Sequence, residues 1–73
     1  MRTIHITVEL SRSPRRMWIK AVENDGKAIV LNVAADQALR ERNRLIDRLI
    51  KGGEFDQVTA GEIPKRGQAP RMP

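Results

Sequence analysis

The stretch that decides the fold runs from residue 17 to residue 33 and reads MWIKAVENDGKAIVLNV. Apolar residues recur on both sides of Asn24-Asp25-Gly26, a pattern that is typical of two strands joined by a tight turn. The length of the turn determines which side chains share a face, because a slip of one residue turns every side chain to the other side of the sheet.

Two turn lengths are compatible with this stretch. A two-residue turn of Asp25 and Gly26 would place Lys20 opposite Leu31 and would mix polar and apolar partners on both faces. A three-residue loop, with Gly26 left-handed as a G1 bulge, makes one face wholly apolar. We expect the second register. Its cross-strand pairs are Glu23 with Lys27, Ala21 with Ile29, Ile19 with Leu31 and Met17 with Val33.

That register places Trp18 on the opposite face of the hairpin, which a single helix cannot also cover. Tryptophan and arginine are the residues most enriched at binding hot spots, and Arg15, Arg16 and Lys20 flank this tryptophan. A lone tryptophan in a small protein is also often a core residue, and both alternatives stay open. The side chains expected on the second face are Trp18, Lys20, Val22, Ala28 and Val30, and the predicted partner-binding residues are Arg15, Arg16, Trp18, Lys20 and Val22.

The rest of the chain supplies one more strand and one helix. Residues 3 to 10 alternate apolar and polar side chains, which predicts a half-buried strand. A helix is predicted from Ala34 or Ala35 to Lys51, ended by Gly52-Gly53, and we expect it to bury five leucine and isoleucine side chains. Its apolar side is predicted to contain Ala35, Ala38, Leu39, Arg42, Leu45, Ile46, Leu49 and Ile50.

These elements predict an α+β fold, with a small antiparallel three-stranded sheet in βββα order packed on one amphipathic helix. Residues 1–63 are expected to form a single domain, and residues 64–73 a flexible, disordered basic tail. Phe55, Val58 and Ile63 are spaced too irregularly to be assigned to an element. The first or third strand must be an edge of the sheet, where an extended segment of another protein could add as a further strand.

Four basic side chains are predicted to lie along the exposed side of the helix: Arg40, Arg44, Arg48 and Lys51. They are either a solvated surface, held by Asp36–Arg40 and Asp47–Lys51 pairs, or an electrostatic docking ridge for phosphate or carboxylate groups. The second helix that usually supports a DNA-recognition helix is missing from the predicted elements.

Composition limits the possible functions. The chain has 73 residues, a net charge of +5, no cysteine and one histidine, His5, so we expect no metal site, no cofactor and no enzymatic activity. Aromatic residues make up only 3% of the chain, which argues against base-stacking platforms. No apolar run approaches the roughly 20 residues that span a bilayer, and the N-terminus lacks the apolar segment of a secretory signal. We therefore expect a cytoplasmic protein that does not bind membranes.

Over its full length, with its Arg-Arg-Met-Trp-Ile segment at residues 15–19 and its arginine-rich helix, the chain resembles small bacteriophage-encoded regulators of host RNA polymerase. The resemblance is to transcription inhibitors and antiterminators of the Xanthomonas-phage type. It implies binding to the N-terminal region of the polymerase β′ subunit in the host bacterial cytoplasm, inhibition of initiation, and antitermination. A nucleic-acid partner would be reached either through the polymerase complex or through the basic ridge on the helix. The alternative is a small basic nucleic-acid-binding accessory protein.

Overall fold

The computed structural model describes residues 1–64 and contains a four-stranded sheet with one α-helix. The expected α+β class and its three antiparallel strands are confirmed, but a fourth strand, parallel to the first, makes the sheet mixed. The predicted tail lies, from residue 65 onward, outside the described residues. The elements are β1 (Thr3–Leu10), β2 (Arg16–Glu23), β3 (Ala28–Ala34), a 3-10 turn (Ala35–Gln37), α1 (Ala38–Gly52) and β4 (Gln57–Ala60), with the strands in the order β3-β2-β1-β4.

The β2–β3 hairpin has the register expected from its turn. The Gly26 amide donates to the Glu23 carbonyl at 3.0 Å, and the Glu23 amide donates to the Lys27 carbonyl at 2.8 Å. Gly26 has a φ of 97°, a conformation that a side chain would strain. Ile19 lies opposite Leu31, so the three-residue loop and its predicted pairing are confirmed.

The core lies between α1 and the helix-facing side of β1 and β2. Alternation along β1 and β2 directs every second side chain towards the helix, as expected for half-buried strands. Ile6 and Ile19 are fully buried. The buried residues are Ile4, Ile6, Val8, Met17, Ile19, Ala21, Ala38 and Leu45.

The helix begins later and buries less than its sequence suggests. Regular α-helix starts at Ala38 after the 3-10 turn, and it ends where Gly53 adopts a left-handed φ of 70°. The expectation of five buried leucine and isoleucine side chains is wrong, since Leu39 is 55% exposed and Ile50 is 61% exposed. Both lie about 90° around the helix from the line that faces the sheet. Leu45 is buried, and Ile46 and Leu49 are half-buried.

Strand β4 is the element that the sequence did not predict. The Asp56 amide donates to the Arg2 carbonyl at 2.7 Å, and the Gly61 amide donates to the Ile6 carbonyl at 2.9 Å, so β4 pairs along β1. The Arg42 guanidinium donates to the Gly61 carbonyl at 2.9 Å and ties the helix to this end of β4. The unassigned residues Phe55, Val58 and Ile63 pack against the core.

Because β4 pairs with the side of β1 that does not face β2, the edge strands of the sheet are β3 and β4. Of the two strands that the sequence offered as an edge, only β3 is one. Within residues 1–64, no helix has the length and the apolar character needed to cross a bilayer.

Candidate functional site

The face of the sheet that points away from α1 divides into a polar half and an apolar half. Strands β1 and β4 supply the polar half, where the His5 ring nitrogen Nδ1 and the Thr59 hydroxyl are 2.6 Å apart. Strands β2 and β3 supply the apolar half. Its apolar side chains, which we call the Trp18 face, are Trp18, Val22, Ala28 and Val30, and Lys20 lies on the same side between Trp18 and Val22, as expected.

The Trp18 face is open to solvent in the described part of the chain. Trp18 is 37% exposed, Val22 42% and Val30 50%, and Ala28 is also exposed. Trp18 lies opposite Asn32 on β3 and Glu9 on β1, outside the core, so the alternative that it is a core residue is wrong. A cluster of exposed apolar side chains that contains a tryptophan is typical of a protein–protein contact.

The three predicted partner-binding cations differ in position and in pairing. The Lys20 ammonium is 2.6 Å from the Glu9 carboxylate, so its charge is offset. The Arg16 guanidinium donates to the Asn32 side-chain oxygen at 2.5 Å and to the Asn32 carbonyl at 3.0 Å. Arg15 precedes β2 and does not share the strand positions of the other predicted residues.

Arg15 and Arg16 instead line an open depression of about 560 Å³ at the end of β3. The depression is completed by Pro14 from the loop before β2, by Ala34 at the end of β3, and by Ala35 and Asp36 from the 3-10 turn that follows. The Ala35 amide donates to the Arg15 carbonyl at 2.7 Å, which holds these two segments together. Sequence reasoning selected the two arginines but did not place them at the end of an edge strand.

Strand β3 exposes two apolar side chains that were expected to lie beneath the helix. Ile29 is 46% exposed and Leu31 is 38% exposed, although both lie on the helix-facing side. The continuous apolar run from Ala28 to Leu31 signals apolar side chains on both faces of this strand. It does not report the exposure of Ile29 and Leu31 on the helix-facing side, which depends on how far α1 reaches across the sheet.

The predicted basic ridge on α1 is exposed at all four positions, Arg40, Arg44, Arg48 and Lys51. Lys51 pairs with Asp47 at 3.0 Å as expected, whereas Arg44 pairs with Glu41 at 3.5 Å. The expected Asp36–Arg40 pair is absent from the ion pairs of residues 1–64. The ridge therefore combines two paired cations with two, Arg40 and Arg48, that have no acidic partner in the described chain.

Titratable groups elsewhere in residues 1–64 support the fold. Arg2 donates to Glu23 at 2.9 Å, and this hydrogen bond raises the pKa of Arg2 above its ordinary value. The Arg2 guanidinium also lies over the Phe55 ring, 4.6 Å from its centre. The described residues contain no group of three or more metal-ligating side chains.

Comparisons with protein-family models, with curated proteins and with solved structures found no match for this chain.

Proposed function

We propose that this chain is a regulator without enzymatic activity that acts by binding a larger protein through the Trp18 face. The observation that carries the proposal is the exposure of Trp18 beside Val22 and Val30 on a sheet face that no described element covers. Burying such a tryptophan removes a large apolar area from water, with a gain of roughly 25 cal/mol per Å².

The partner we propose is bacterial RNA polymerase, which is the partner implied by the resemblance to phage-encoded regulators. Docking on the N-terminal region of the β′ subunit would let a chain of 73 residues inhibit initiation and promote antitermination. The net charge of +5 would attract the chain to acidic protein surfaces and to complexes that contain nucleic acid. The proposed site of action is the host bacterial cytoplasm.

The test is the binding of the full chain to purified Xanthomonas RNA polymerase, together with promoter-initiation and terminator read-through assays. We expect Trp18→Ala to weaken binding at least about tenfold, as hot-spot truncations do. Gln57→Ala is the matched control, because Gln57 is exposed on the polar half of the same sheet face. It should leave both affinity and transcription unchanged.

Circular dichroism of each variant checks that the sheet is retained. Wild-type chain that fails to bind at micromolar concentration would overturn the proposal of polymerase as partner. Unchanged affinity of a folded Trp18→Ala variant would overturn the Trp18 face as the docking surface.

A second candidate function, binding to nucleic acid, is favoured by Arg40 and Arg48 on the helix ridge, which have no acidic partner among residues 1–64. It predicts affinity for duplex DNA or RNA that falls steeply with salt, because each phosphate contact releases counterions. Arg40→Gln combined with Arg48→Gln should then reduce the salt slope. Binding that is absent near physiological salt would rule this function out, whereas docking through the Trp18 face predicts only a modest salt dependence.

A further inference from the structure

The hydrogen-bonding pattern of the hairpin shows which backbone groups of β3 point away from the sheet. The Glu23–Lys27 bond at one end and the Ala35–Arg15 bond at the other establish which pairs exchange hydrogen bonds. In an antiparallel ladder these pairs alternate with pairs that do not. The β3 residues bonded to β2 are therefore Ile29, Leu31 and Val33, and those whose N–H and C=O groups point outward are Ala28, Val30 and Asn32.

One of these three outward positions is already occupied. Arg16 reaches across the strand and donates to the Asn32 carbonyl at 3.0 Å and to its side-chain oxygen at 2.5 Å. Ala28 and Val30 have no hydrogen-bond partner for their outward groups among the described residues, since β3 ends the sheet. The open part of the edge is therefore short and begins next to a fixed guanidinium.

The side chains along this open part are apolar on both faces of the sheet. Val30 lies on the Trp18 face, whereas Ile29 and Leu31 lie on the helix-facing side, and all three are exposed. Natural edge strands usually carry a charge, a proline or a bulge that prevents pairing, but Ala28–Ala34 contains none of the charged or proline residues. An added strand would therefore meet exposed apolar side chains on whichever face of the sheet its own apolar side chains lie.

Charge distinguishes the two ends of the edge. Arg15 and Arg16 lie at the Ala34 end, around the depression of about 560 Å³, and Asp36 is the only acidic residue among the described residues that line it. At the other end Lys27 lies 4.0 Å from Asp25, so its charge is partly offset. A segment that carries carboxylates at the end beside Arg15 and Arg16 would match this distribution.

From these features we infer that the β3 edge binds an extended segment of a partner protein in which acidic residues precede alternating apolar residues. Antiparallel addition, the more stable pairing, brings the first residues of the segment to the Ala34 end and its carboxylates to the arginines. The inference rests on the proposed function, because it describes how that docking is made. A second copy of the chain fits less well, because a pairing that uses all three outward positions sets Ala28 against Asn32, whose carbonyl is held by Arg16.

The test uses the isotope-labelled full chain and the synthetic peptide Glu-Glu-Val-Thr-Val-Thr-Val, followed by NMR and amide hydrogen exchange. The amides of Ala28 and Val30 should shift and become protected. The outward amides of Val58 and Ala60 on the β4 edge serve as an internal control and should not change. A peptide with Lys-Lys in place of Glu-Glu should bind about threefold to fivefold more weakly, as expected for exposed ion pairs.

Two variants separate backbone pairing from charge. Val30→Pro removes an N–H that β2 does not use, so it should abolish peptide binding, whereas Val30→Thr keeps the N–H and should retain it. Arg15→Glu should reverse the preference between the two peptides. Arg15 is exposed and its side chain makes no hydrogen bond or ion pair in the described chain, so this variant remains informative if Val30→Pro fails to fold.

Four results would overturn the inference: no change at Ala28 and Val30 at millimolar peptide, equal binding of the two peptides, equal protection of the β4 edge, or protection of β3 that appears with protein concentration alone. The last result would identify a second copy as the occupant, and sedimentation would confirm it. Peptide binding is measured on the free chain, so its failure is distinguishable from a failure to bind RNA polymerase.

Discussion

The two edge strands of the sheet differ in length, in polarity and in their contacts with the rest of the chain. Strand β4, at one edge, has four residues, carries the polar side chains Gln57 and Thr59, and is tied at its end by Arg42 of the helix. Strand β3, at the other edge, has seven residues and exposes Ile29, Val30 and Leu31. The first edge is therefore short, polar and tied to the helix at one end, whereas the second is longer and presents exposed apolar side chains beside its outward backbone groups.

The difference between the edges follows from the width of the sheet that a single helix can cover. One helix of fifteen residues can cover the centre of a four-stranded sheet but not its full width. In this fold it covers β1 and β2, and Phe55 with Ile63 fills the β4 side of the core. On the β3 side Val33 packs against the core, but no element of residues 1–64 covers Ile29 and Leu31, and this is the side on which the proposed docking surface lies.

The largest effect should come from the cross-strand pair Ile19 and Leu31, whose members share one face. Ile19 is fully buried, so Ile19→Ala should cost about 3 kcal/mol of unfolding free energy through lost burial and a residual cavity. Leu31 is 38% exposed at the edge, and Leu31→Ala should cost only about 1 kcal/mol. Urea unfolding followed by circular dichroism measures both changes.

Equal costs for these two substitutions would contradict the comparison, because they would mean that the β3 edge is covered as well as the centre of the sheet. Unfolding of the Ile19→Ala variant at room temperature would agree with it, since a core of this size rarely supplies more than about 3 to 5 kcal/mol.

The next largest loss of unfolding free energy is expected beside the β4 edge, where Phe55 is half-buried beneath Arg2. Phe55→Ala should cost about 2 kcal/mol and should speed hydrogen exchange of the Gly61 amide, which bonds to Ile6. Leu39→Ala is the control, because Leu39 is 55% exposed on the helix and should change stability by less than about 0.5 kcal/mol. A loss of protection in β3 as large as in β4 would show that the two edges are not independent.

The contrast between the edges also explains what the sequence could predict. The hairpin register depends on three adjacent turn residues and on apolar pairing across them, so it was predictable from Asn24 to Gly26. The exposure of Trp18 follows from that register. The strand β4 was not predictable, because its four residues acquire their order from β1, more than 50 positions earlier, as in the 2.7 Å bond from Asp56 to Arg2.

The candidate site was predicted only where its residues are determined by local sequence. Trp18 and Val22 were placed correctly because strand alternation is local. The exposure of Ile29 and Leu31 depends on how far one helix reaches across the sheet, which periodicity does not report. The separation of Arg15 from the other predicted residues depends on where β2 begins, and the depression beside it requires the segment after β3 to fold back against that loop.

The smallest expected change in stability comes from substituting the glycine nearest to each edge strand, Gly26 beside β3 and Gly61 beside β4. A Cβ at Gly26 would meet nothing within 4 Å, so the cost of Gly26→Ala comes from its φ of 97° and should be about 1 kcal/mol. Gly61 also has open space and has no positive φ, so Gly61→Ala should be neutral or slightly stabilising. Thermal unfolding of both variants provides the comparison. If Gly26→Ala costs nothing, the G1 bulge does not hold the β3 register, and the free groups of Ala28 and Val30 lose the geometry on which strand addition depends.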